Sequence, residues 1–122
     1  MAEGSDGLIT SITDFDIVLV GIAINKKYVA ACTDSLSRLF NFAGDVVHTF
    51  KHSAKTKSVA MSDRHAAFGL KHGIAEVWEL KKRTLVCKLQ GPEKTLSIRM
   101  VRISGSYVLV SAGRPIATTI ID

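Results

Sequence analysis

The chain is poor in the residues that mark a specialised class. It has two cysteines, Cys32 and Cys87, with no CxxC pair, which excludes a disulfide scaffold. Two prolines and nine glycines exclude collagen-like and linker-like sequences. Charged residues make up only 22% against 47% hydrophobic, a balance no intrinsically disordered chain shows. Long apolar runs are missing too. The longest, from Ile17 to Ile24, falls far short of the roughly 20 residues of a membrane-spanning helix, so no membrane contact of that kind is expected. The opening Met1-Ala2-Glu3-Gly4-Ser5-Asp6-Gly7 is small and acidic, whereas a secretory signal starts basic and continues apolar. No GxxxxGK[ST], GxGxxG or GxSxG occurs, which removes the usual phosphate-cradling loops and the strand-to-helix serine of many hydrolases. Unpaired thiols and no leader point to an intracellular location, cytoplasmic or nuclear, with both cysteines packing as small hydrophobes.

What the chain has in quantity is β-branched apolar residues. Isoleucine and valine together supply 22 of the 122 positions, which favours strands over helices. The apolar runs are short and separated by turn residues. The pattern predicts strands over Val18–Asn25, Tyr28–Thr33, Leu36–Phe42, Val46–Phe50, Lys57–Met61, His65–Leu70, Ile74–Leu80, Thr84–Leu89, Leu96–Ile103, Tyr107–Ala112 and Ile116–Ile121. Asn25-Lys26-Lys27, Ala43-Gly44-Asp45, Ser62-Asp63-Arg64 and Ser104-Gly105-Ser106 suit the tight turns between them.

The strands repeat. Phe40 falls on Trp78 at a spacing of 38, and Leu36, Leu39 and Phe42 fall on Ile74, Val77 and Leu80 at the same spacing. In that alignment Tyr28 stands beside Ala66, and Tyr107 falls on Tyr28 at a spacing of 79, about two periods. About 40 residues carrying four short strands is the size of one propeller blade. The fold class expected is therefore all-β, with about three antiparallel blades.

In its residues the chain resembles the WD-repeat family of β-propellers. Val77-Trp78-Glu79-Leu80 looks like the aromatic–acidic pair that closes a blade's third strand, and Leu39-Phe40-Asn41-Phe42 is a weaker copy. Asp34, in Thr33-Asp34-Ser35-Leu36, is similar to the acid of the turn between second and third strands. His52 sits near the place of the family's Gly-His pair, and Gly91-Pro92 occupies the next such place. The resemblance implies a structural signature at Asp34, Phe40, His52, Trp78 and Glu79. It also implies a buried hydrogen-bonded set, for which the matching positions hold His52 and Trp78. His72 stands at the acid position of that set, and Gly69 or Leu70 at the hydroxyl position.

The organisation expected is a tail over residues 1–16, with a possible ring-closing strand at 7–13. A propeller-like segment follows over 17–122, with blades of about 17–52, 53–91 and 92–122. Propellers close with roughly 4 to 8 blades. Three blades therefore imply a homodimer that pairs into six, a partner that caps the open faces, or a piece of a longer propeller. The abrupt end of the third repeat favours the last.

Chemistry is sparse. His48 and His52 are four apart and lack the cysteine or further histidine companions of a zinc site, so no metal and no cofactor are expected. Ser62-Asp63-Arg64-His65 holds the residue types of a hydrolase triad, but triads are assembled across a fold, and this stretch is a turn. Asp14 and Asp16 flank Phe15 with nothing nearby to suggest acid–base work. The net charge of +5 concentrates at turns instead. Lys26, Lys27 and Arg64 map to turns between first and second strands, and Lys81, Lys82 and Arg83 to a turn between third and fourth. In an up-and-down blade these share one rim, a candidate partner-binding surface. The function implied by the resemblance is a non-catalytic protein–protein interaction scaffold. The alternative is a nucleic-acid-associated subunit that uses the basic rim.

Overall fold

The computed structural model describes residues 19–91, 97–111 and 115–120. The tail over 1–16 and the closing strand expected at 7–13 lie outside them. Among the described residues, eleven strands form three antiparallel sheets. The first sheet is β1 (Gly21–Ile24), β2 (Tyr28–Cys32), β3 (Ser37–Asn41) and β4 (Val46–Phe50), in that spatial order. The second is β5 (Thr56–Met61), β6 (His65–Leu70), β7 (Ile74–Glu79) and β8 (Thr84–Gln90), also in order. The third holds β9 (Met100–Ser104), β10 (Tyr107–Ser111) and β11 (Pro115–Ile120).

Each sheet is an up-and-down meander because every connection inside it is short, so each strand pairs with its predecessor. The first strands of the sheets are neighbours, β1 beside β5 and β5 beside β9. The sheets therefore stack face to face around a common edge.

Two apolar seams hold the stack. Between the first two sheets lie Ala30, Cys32, Leu39 and Phe50 from one side and Ala66, Phe68, Leu70 and Leu80 from the other. Between the second and third lie Ala67, Ala75 and Val77 against Ile98, Val101, Val108 and Val110. Alternation along β6 and β7 explains both. Ala66 and Phe68 face the first sheet while Ala67 faces the third, as period-two side chains must. The alanines let the sheets approach, and Phe68 fills the first seam. Cys32 is buried in that seam, where desolvation pushes its thiol pKa to about 11, against a weaker opposing hydrogen bond from Ser37. Cys87 is half-buried, and neither cysteine forms a disulfide.

The far face of the third sheet is open. Met100, Arg102, Tyr107 and Leu109 are exposed there, while the alternate residues Val101, Val108 and Val110 are covered. Ile22 and Ile24 are exposed on the outer face of the first sheet.

Two details differ from the sequence reading. The last predicted blade begins its first strand at Met100 rather than Leu96. Residues 97–99 cross between sheets, with Ile98 N–H donating to the Leu70 carbonyl at 3.0 Å and Arg99 N–H to the Ser111 carbonyl at 3.0 Å. The repeat also slips by one residue. Tyr28 opposes Asn41 and His65 opposes Glu79, so the counterpart of Tyr28 is His65, not Ala66. The second blade spends one more residue in this hairpin. Its strands are joined by a single 3-10 turn, Lys71–Gly73, whose His72 (φ 68°) and Gly73 (φ 70°) are both left-handed.

Candidate functional site: a rim cavity and a seam network

Register places the turns. Because Tyr28 opposes Asn41 and His65 opposes Glu79, the β1–β2, β5–β6 and β7–β8 turns emerge at one rim. The first two are pinned by side chains of their own. Asn25 Oδ1 accepts from the Lys27 and Tyr28 N–H groups, both at 2.8 Å. Ser62 Oγ accepts from His65 N–H at 3.1 Å. These side-chain turns are why asparagine and serine stand there. Neighbouring turns are tied together as well. Asn25 Nδ2 donates to the Ser62 carbonyl at 2.8 Å, and Leu80 N–H to the Arg64 carbonyl at 2.9 Å.

Where these turns meet, a cavity of about 720 Å³ opens between the first two blades. Five of the six rim cations expected from sequence line it: Lys26, Lys27, Arg64, Lys81 and Lys82. Arg83 does not line it. It ends its turn in a left-handed conformation (φ 58°) and, after desolvation, is the second cause of a lowered His48 pKa. Two carboxylates share the cavity, Asp63 and Glu79. Asp63 Oδ2 pairs with Lys26 Nζ at 3.6 Å, both well exposed, so the pair contributes little. Glu79 is different. Its Oε1 is buried and has no hydrogen-bond partner.

The other signature residues lie apart from this rim. Asp34 sits in the β2–β3 turn, its carboxylate 3.5 Å from Lys57 Nζ and its carbonyl accepting from Thr56 N–H at 3.0 Å. Phe40 is buried in β3 beside Val29 and Val46. His52 and Trp78 are brought together in the first seam. Trp78 stands 5.4 Å from Phe50 and 6.5 Å from His52 between ring centroids.

The seam also holds a polar network with an acid, where the sequence reading had only His72 at the acid position. His52 Nδ1 donates to Glu76 Oε1 at 2.7 Å, and His52 Nε2 shares a 3.0 Å hydrogen bond with Ser37 Oγ. Ser37 continues to Thr56 Oγ1 at 3.2 Å, with both residues buried. Ser53 gives Glu76 Oε2 its hydroxyl at 3.0 Å and its N–H at 3.3 Å. Trp78 Nε1 reaches Glu76 Oε1 at 3.4 Å. The acid is thus Glu76, and the hydroxyls are Ser37, Ser53 and Thr56. His72 is exposed, and its carbonyl accepts from Gln90 Nε2 at 2.9 Å. Glu76 did leave a trace in the sequence. It alternates with Ile74 and Trp78 on a core face, where a charge requires partners.

The His52 and Glu76 side chains are only 6% and 4% exposed, so this set holds the blades together rather than meeting a ligand. Desolvation works to raise the Glu76 pKa. Hydrogen bonds from His52 and Ser53 outweigh it and hold the carboxyl below its ordinary value. A carboxyl depressed in the folded state stabilises the fold above its unfolded pKa, about 4.3. That stability is lost as pH falls through the folded value. Thermal melts are therefore expected to drop below about pH 4.3. Glu76→Gln is expected to lose about 1–3 kcal/mol at neutral pH and to flatten that acid limb. An acid limb of equal steepness in the variant would remove Glu76 from the set that controls it.

No known family's sequence profile matches the chain, and no curated protein does. Solved structures do. The computationally designed Ika4 protein matches with TM-score 0.72 at 16% identity, over 90% of this chain and 68% of that one. The WD40 repeats of RRP9 match with TM-score 0.67 at 18% identity, over 79% of this chain. A chain of the mitotic checkpoint complex matches with TM-score 0.64 at 14% identity, over 75% of this chain. The sheets are propeller blades. The chain spans about a third of these two natural propeller chains, 31% and 30% respectively.

Among the described residues no three His, Cys, Asp or Glu side chains gather as a metal site. No described helix is long and apolar enough to cross a membrane.

Proposed function

We propose that this chain is a non-catalytic, intracellular protein–protein interaction module of the WD-repeat type. The observation that carries the reading is how its polar chemistry is divided. The clustered ionisable groups of the seam are buried and fully used in joining two blades, while five cations from three turns open onto one rim cavity. A rigid platform with exposed turn chemistry suits docking rather than catalysis. The mitotic checkpoint complex, to which one propeller of like fold belongs, is itself an assembly of proteins.

The test is affinity capture on the tagged chain from nuclease-treated lysate, followed by cross-linking and mass spectrometry. A discrete protein cross-linked to the blades and retained at physiological salt supports the reading. Retention of nucleic acid alone, lost on nuclease treatment, overturns it in favour of the nucleic-acid alternative.

A further inference from the structure

The rim cavity has a chemistry that selects among occupants. We infer that it docks an acidic peptide segment, which places carboxylates on the lysines and Arg64. The inference deepens the interaction-module reading and rests on it.

Charge is the first argument. Once the Lys26–Asp63 pair is set aside, Lys27, Arg64, Lys81 and Lys82 face the single carboxylate of Glu79. The excess is positive, and it comes from three separate turns on two blades, so no one segment can neutralise it by bending. Hydrogen bonds from Asn25 and Ser62 hold two of these turns in place before anything binds, which lowers the ordering cost of binding.

Size is the second. A cavity of about 720 Å³ lies within the roughly 300–1,000 Å³ of ligand sites, enough for a short stretch of chain rather than a single ion.

The third argument separates a peptide from a nucleic acid. Among the described residues Tyr28 is the one aromatic ring lining the cavity, where a single-strand binder needs a series of stacking platforms.

The experiment uses fluorescence anisotropy on the full chain with two probes: labelled hexaglutamate and labelled hexathymidylate. Two variants are compared with the parent, Lys81→Glu/Lys82→Glu at the cavity and Lys55→Glu/Lys71→Glu outside it. Both change the net charge equally, and thermal melts establish that both are folded. Hexaglutamate is expected to bind the parent at least tenfold tighter than it binds the cavity variant, and within about twofold of the outside variant. Hexathymidylate is expected to bind at least tenfold more weakly than hexaglutamate. Absence of hexaglutamate binding overturns the inference. So does equal weakening by the two variants, which moves the contact away from the cavity but leaves the interaction-module reading intact. Tighter binding of hexathymidylate overturns both the inference and the reading it rests on.

Discussion

Phe68→Ala is expected to cost about 3–5 kcal/mol in chemical unfolding, a large share of the total stability of a chain this size. Phe68 is fully buried and has the largest of the fully buried side chains. Its ring centroid lies 4.8 Å from Phe50 and 4.4 Å from His52, so it touches the outermost strand of the first blade and the connection that follows it. Alanine would leave a hole walled by Leu39, Phe50 and Leu70, held on two separate sheets that cannot both move inward. The His52 ring would also lose the surface it packs on, and with it the alignment of its hydrogen bond to Glu76. Phe68→Leu keeps much of the volume and is expected to cost less than about 1.5 kcal/mol. If the alanine variant loses under about 1 kcal/mol, the two blades are not joined through this ring, and the seam is looser than the geometry requires.

The same residues show why the fold was largely legible in the sequence while the polar network was not. Strand identity follows from local facts, β-branched runs and turn residues, and those are written consecutively. Phe40 and Trp78 do occupy matching places on matching strands. A repeat alignment, however, assumes that each blade supplies its own parts. The seam network breaks that assumption. Ser37 comes from the first blade, His52 and Ser53 from the connection, and Glu76 and Trp78 from the second blade. No comparison of one blade with the next could pair Ser37 with His52. The one-residue slip between Tyr28 and His65 has a similar origin, since the extra residue is absorbed in a left-handed turn that carries no hydrophobic marker. The rim was easier. In an up-and-down blade, alternation of turns fixes which ones share an end, and five cations could be assigned to one surface from sequence. Glu79 was read only as part of an aromatic–acidic pair, and Asp63 only as a turn residue. Their shared place in the cavity depends on how closely two blades approach, which no spacing along the chain encodes.

Gly69→Ala is expected to destabilise the chain by about 3 kcal/mol or more, a large effect for adding one methyl group. Gly69 lies in β6, opposite Ser58 on one side and Ala75 on the other. Its backbone needs no special dihedral, so the constraint is space alone. A Cβ there would overlap both Ser58 Oγ and the Ile98 carbonyl oxygen and stand 2.7 Å from Ile98 Cγ2. Those first two atoms form a 2.8 Å hydrogen bond that ties the second blade to the segment leading into the third. Ile98 cannot simply retreat, because its N–H is bonded to the Leu70 carbonyl at 3.0 Å and its side chain is fully buried. The methyl therefore either breaks the Ser58–Ile98 bond or pushes the third sheet away from Ala67, Ala75 and Val77. Ser58→Ala separates the two costs. It removes one obstacle but leaves the Ile98 carbonyl, so in the double variant less than half of the loss is expected to return, measured as a double-mutant cycle in urea. Full recovery would show that the hydroxyl alone fills the space. The sequence alignment had put Gly69 or Leu70 at a position where the WD-repeat pattern carries a hydroxyl. Gly69 instead faces Ile98 in the second seam, away from His52 and Trp78, and makes room there for the Ser58 hydroxyl, while the hydroxyls of the His52 network come from Ser37, Ser53 and Thr56.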